Sequence, residues 1–124
     1  MSRKLTIGHG IALAILATIG LPNAGLAQGV KIVGIGSGSC KQFLEEINGN
    51  RDVERNYFAW AQGYMNGILL RAPAGVDEDL DLTPPTFPIA KQAQYLRMFC
   101  ANQMDKDFAD GVQELYKALR NRSS

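Results

Sequence analysis

From Ser39 onward the chain places apolar residues at intervals of three and four. Cys40, Phe43, Leu44 and Ile47 follow the i, i+3, i+4, i+7 spacing of a helix with one buried stripe. Ser39 stands where an N-cap belongs, Gln42 is placed to return the bond in a capping box, and Asn48-Gly49 ends the segment. Asp52 is then predicted to cap a longer helix running to about Leu70, on which Val53, Tyr57, Trp60, Tyr64, Gly67 and Ile68 form an apolar face rich in rings. Beside that face Ala59, Gly63 and Gly67 recur every fourth residue. Glycine inside a helix costs about 1 kcal/mol relative to alanine, so the smooth strip is read as a place where another helix approaches closely, with a ligand groove as the alternative.

The stretch from Arg71 to Pro88 holds Pro73, Pro84, Pro85, Pro88 and the acidic run Asp77-Glu78-Asp79-Leu80-Asp81, a composition that stops a helix and predicts a solvated surface loop. A third helix follows from about Ile89 to Ala101, with Ile89, Ala93, Leu96 and Cys100 on one face and Tyr95, Met98 and Phe99 beside it. Asp105 or Asp107 caps a fourth, whose stripe is Phe108, Val112, Leu115 and Leu119, bordered by Tyr116. Lys117, Arg120 and Arg122 near its end suit the negative pole of the helix dipole. Only a short run, Val30 to Ile35, hints at a strand. The expected fold is all-α, a small bundle of about four helices over residues 39–121.

The first residues read differently. Arg3 and Lys4 precede an apolar run from Ile7 to Leu21, Pro22 breaks it, and Gly25 and Ala27 are small residues at the positions a signal peptidase reads. The apolar core is shorter than the roughly 20 residues of a membrane span, so residues 1–27 are expected to be a cleaved export signal rather than an anchor. Residues 28–38, with Gly34-Ile35-Gly36-Ser37-Gly38, then form a flexible Gly/Ser-rich leader. That leader lacks the lysine of a phosphate loop and the flanking strand of a dinucleotide fingerprint.

Cleavage changes the chemistry. The whole chain has 124 residues, 13 basic and 12 acidic side chains and one histidine. Removing 27 residues leaves 97, and Arg3, Lys4 and His9 leave with them, so 11 basic groups face 12 acids. A mature chain without histidine has no Ser-His-Asp or Cys-His mechanism and lacks the usual zinc ligands. Glu45 and Glu46 are adjacent on a helix and point different ways, which is poor geometry for a carboxylate pair. No catalytic residue, metal or cofactor is expected, and the near-balanced charge argues against nucleic acid. Asp77, Asp79 and Asp81 imitate the start of a calcium loop, but Leu82 stands where its glycine belongs and Pro88 where its glutamate belongs. Cys40 and Cys100 remain, and in an oxidising compartment they pair.

Two resemblances bear on function. Cys40-Lys41-Gln42-Phe43-Leu44 resembles the Cys-x-x-Phe-Leu opening of the HdeA-type periplasmic acid-stress chaperones, and Phe108, Val112, Tyr116 and Leu119 match the spacing of their closing helix. The stretch between the cysteines is longer here, and residues 57–67 are not an HdeA signature. That middle is similar instead to the Gly-Tyr-x-x-Gly element of Rap/Tai-type immunity proteins, here Gly63-Tyr64-Met65-Asn66-Gly67, with Gln94-Tyr95-Leu96 matching later positions. Those proteins carry additional cysteines that this chain lacks. Both families imply a small, exported, disulfide-tied helical protein, periplasmic or secreted, that binds other proteins and is not an enzyme. The chaperone resemblance implies acid-unfolding clients and is compatible with a homodimer; the immunity resemblance implies a periplasmic toxin. Tyr57, Trp60, Gly63, Tyr64, Gly67, Phe108 and Tyr116 are the candidate protein-binding residues.

Overall fold

A computed structural model describes residues 31–123, so the expected signal segment and residues 28–30 lie outside the described residues. A short 3-10 helix, Ile35–Ser37, leads into four α-helices: α1 Cys40–Ile47, α2 Arg51–Leu70, α3 Ile89–Asn102 and α4 Phe108–Ser123. The protein is an all-α bundle, and Cys40–Cys100 joins α1 to α3 across 60 residues of sequence. α1 and α4 each pack against both α2 and α3, whereas α2 and α3 meet only weakly.

The helix ends show how local chemistry sets the register. Gln42 N–H donates to Ser39 Oγ at 3.1 Å as a cap requires, but the Gln42 side chain reaches forward to Glu46 at 2.7 Å instead of back, so the box is half made. α2 is capped by Asn50, whose Oδ1 accepts from Val53 N–H at 3.2 Å, and not by Asp52. The reason is the turn before it: Gly49 takes a positive φ of 71°, which leaves Asn50 extended at the helix mouth and puts Asp52 in the first turn beside Arg55. At the start of α4, Asp107 N–H is accepted by the Asp110 carboxylate at 3.2 Å.

An antiparallel bridge between Ser39 and Asp107 pairs the starts of α1 and α4. Cys40 N–H donates to Lys106 O at 2.7 Å and Phe108 N–H to Gly38 O at 2.9 Å. Two groups that a helix start leaves without an intrahelical partner are thereby satisfied beside the disulfide. Directly inside lie Phe43, Tyr57 and Phe108, with ring centroids 4.6 to 5.0 Å apart. Met65, Leu96, Val112, Leu115 and Leu119 extend this core along the bundle.

Three expectations about packing need correction. The buried line of α2 is Tyr57, Phe58, Ala61 and Met65, so the core face is rotated from the predicted one; Val53, Trp60, Tyr64 and Ile68 flank it and Gly67 is exposed. The strip Ala59, Gly63, Gly67 faces outward, and nothing lies within 4 Å of where a Cβ on either glycine would sit. No contact in the structure explains those two glycines. On α3, Gln92 is fully buried with Leu96 and Cys100 while Ile89 is 48% exposed.

The Gly/Ser-rich leader is docked over its last residues. Trp60 Nε1 donates to Val33 O at 3.2 Å, and Gly36 is buried against the indole, where an added Cβ would lie 2.1 Å from the ring. Absence of a side chain at Gly36 is thus a packing requirement.

Candidate functional site

The seven residues singled out for protein binding separate into two groups. Tyr57, Phe108 and Tyr116 are core side chains, none more than 4% exposed, and present no surface in the folded protein. Trp60, Gly63, Tyr64 and Gly67 remain together on one flank of α2 because steps of three and four return to the same side of a helix. The Trp60 and Tyr64 rings stack at 5.2 Å and, with Gly63, Ile32 and Val33, line a shallow groove of about 400 Å³.

A second constellation, not read from the sequence, fastens the loop between α2 and α3. Asp77 Oδ2 accepts from the Tyr116 hydroxyl at 2.9 Å and Oδ1 from Arg120 Nε at 2.7 Å. α4 supplies both donors because its residues 116 and 120 are one turn apart and share a side. Asp77 itself adopts a φ of +60°, a left-handed conformation that aspartate tolerates better than most residues, and its side chain is only 11% exposed. The expectation of a fully solvated acidic loop is therefore corrected at Asp77. Around it stand Ile68, Arg71, Gln113 and Lys117, forming a cleft of about 390 Å³ in which Asp77 is the lone carboxylate among three cations.

Farther along, Gln92 Nε2 donates to Leu82 O and Phe87 O, each at 2.9 Å, clamping the loop onto α3. Its Oε1 has no protein partner. Leu80 and Leu82 pack on the core, and buried Phe87 lies under the Arg122 guanidinium at 4.3 Å with the Tyr95 ring edge-on. The sequence did carry a signal for Gln92, since 92, 96 and 100 fall on one line of the helix with two apolar neighbours.

Carboxylates recur in the remaining tertiary bonds. Glu46 accepts from the Tyr57 hydroxyl at 2.7 Å, linking α1 to α2, and Arg97 pairs with Glu54, linking α3 to α2. The Gln42 amide first, and the Tyr57 hydroxyl second, hold the Glu46 carboxyl below its ordinary range. Burial, reinforced by the bond to Asp77, pushes the Tyr116 phenol up to about 12, and burial with Glu46 raises that of Tyr57. Both phenols therefore stay protonated as donors at neutral and acid pH.

Among the described residues no group of three or more His, Cys, Asp or Glu side chains is arranged to hold a metal. Asp81 accepts from Thr83 N–H and Glu78 from Gly75 N–H, so these two acids of the loop make local bonds. Glu45 pairs with Lys41 while Glu46 faces Tyr57, so the two point apart. No described helix is long and apolar enough to cross a membrane. No family model matches the chain, and neither a curated protein nor a solved structure matches it.

Proposed function

We propose that the chain is an exported, non-enzymatic protein that binds other proteins, acting as an HdeA-like chaperone that holds unfolding clients when its compartment turns acid. The observation that supports this reading best is the way the bundle is closed. Its covalent tie, Cys40–Cys100, is indifferent to protons, whereas the bond fastening α1 to α2 runs through the Glu46 carboxylate. Hydrogen bonds to ionised carboxylates are the strong ones, and protonation weakens them.

The sign follows from Glu46. A carboxyl depressed in the folded state stabilises the fold above its unfolded value, here near 4.5, and that contribution disappears as pH falls through the folded value. Over the same range the mature chain would go from about −1 to about +11 as its carboxylates protonate, adding self-repulsion. Loosening would uncover Phe43, Tyr57, Phe108 and Tyr116 while the disulfide keeps α1 and α3 joined. This assigns the buried members of the candidate set to the acid-loosened state.

The test mixes the purified protein at about pH 2 to 3 with an aggregation-prone exported client and follows light scattering. Suppressed scattering is expected at a several-fold molar excess; unchanged scattering rejects the chaperone reading.

A second reading, a Rap/Tai-like immunity protein, draws on the surface flank Trp60, Gly63, Tyr64 and Gly67 and the exposed acids Glu78, Asp79 and Asp81. It requires a preformed interface at neutral pH with a periplasmic toxin. Tight association with a secreted hydrolase encoded beside this gene is its expected result, and no association with any neighbouring product counts against it.

A further inference from the structure

The flank of α2 opposite Trp60 borders a groove that neither reading uses. It runs between α2 and α3, which pack through α1 and α4 rather than directly on each other. Arg51, Arg55, Ala59 and Gln62 form one wall, Ile89 and Ala93 the other, and Phe58 the floor, around a space of about 440 Å³. That is within the size of small-ligand sites. From Arg51 to Gln62 the wall is about 16 Å long at the helical rise per residue.

Its two ends differ in character. Ala59 and Ala93 keep the middle narrow in side chains and wide in space, and Ile89 leaves nearly half of an apolar surface open at the far end. At the near end Arg55 is paired with Asp52, and Arg97 pairs with Glu54 of the wall. Three guanidiniums thus meet two carboxylates, and Arg51 has no side-chain partner among the described residues. The positive pole of the α2 N-terminus lies at the same end. The other two clefts lack this combination: in one, Asp77 pairs with Arg120 and Glu114 with Lys117, and the indole of Trp60 in the other is covered by Gly36 on one side and stacked with Tyr64.

We infer that the α2–α3 groove binds an anionic single-chain amphiphile, with the apolar chain along Phe58, Ala59 and Ala93 and the carboxylate or phosphate head against Arg51. The charge left over at one end fixes the orientation of the ligand, and the apolar floor fixes its tail. This site does not depend on acid and stands apart from the chaperone reading.

Decanoate titrated into the purified protein at neutral pH, followed by calorimetry, tests it, with phosphatidylglycerol vesicles as a second arm. The expected result is saturable one-to-one binding, abolished by Ala59→Trp, which fills the groove from an exposed helix position. Arg51→Glu should weaken it by roughly tenfold, about what one unpaired charge-assisted contact contributes. Lys91→Glu, the same charge change elsewhere on α3, should leave it unchanged. Vesicle binding lost in Ala59→Trp would assign the head to a lipid and also support the site. Absence of binding in both arms, binding indifferent to Ala59→Trp, or equal losses in Arg51→Glu and Lys91→Glu would overturn it. Unchanged circular dichroism of each variant keeps a folding defect from imitating the loss.

Discussion

The two ends of the bundle are held by different physics. Where α1 meets the start of α4, the fastenings are a disulfide, an antiparallel bridge and the rings of Phe43, Tyr57 and Phe108. Where the 71–88 loop meets α4 and α3, they are the Asp77 carboxylate, the Gln92 amide and a guanidinium over Phe87. Beside the first set, the Glu46 carboxyl, held low by Gln42 and Tyr57, is the group that a proton alters. The second combines the Asp77 carboxylate with the neutral Gln92 clamp and the Arg122–Phe87 contact. A fall in pH therefore acts through Glu46 on the contact between α1 and α2, and a marginally stable domain magnifies the effect.

The largest test removes the pH-indifferent tie. Cys40→Ser with Cys100→Ser opens a loop of 60 residues and should cost about 4 kcal/mol on the chain-entropy model, measured by urea unfolding at neutral pH. A loss below about 1 kcal/mol would mean that the bridge and the rings hold that end by themselves. Next, Gln92→Ala strips the donor from Leu82 O and Phe87 O and should cost about 2 to 3 kcal/mol, because two carbonyls of the clamped loop lose their bond.

A smaller effect is expected from Asp77→Asn. Asparagine accepts the same positive φ, so the change isolates charge from backbone geometry. Arg120 is about half exposed, and solvent screening reduces the loss to about 1 kcal/mol at neutral pH. A loss indistinguishable from zero would remove Asp77 from the fastening of the loop. The smallest change is Glu46→Gln, which should destabilise slightly at neutral pH and match the parent near pH 2, where the parent carboxyl is protonated too.

These contrasts also separate what the sequence disclosed from what it hid. Helix number, the disulfide and most boundaries were legible, since apolar spacing and a two-cysteine chain leave few choices. Ser39 was correctly read as a cap because its side chain acts within one turn. Asn50 was missed because the geometry of the Gly49 turn decides which of two capping residues stands at the helix mouth. The α2 core line was misjudged by following the largest rings: Trp60 and Tyr64 sit at the flank, and small Ala61 takes the centre. Asp77 was hidden because its partners, Tyr116 and Arg120, are about 40 residues away in sequence, so only the fold brings them together. Gly36 belonged to a segment whose composition reads as flexible, and only the Trp60 indole shows why its glycine packs.

Hydrogen exchange with residue-level resolution, measured on the oxidised protein between about pH 7 and pH 3 and corrected for intrinsic rates, tests the account most directly. Amides of α1, which carries Glu46, should lose protection as the pH falls below about 4.5, while those around the neutral Gln92 clamp hold theirs, and Glu46→Gln should remove that pH dependence. Protection of α1 that does not change between pH 7 and pH 3, or the same pH dependence in Glu46→Gln as in the parent, would contradict it.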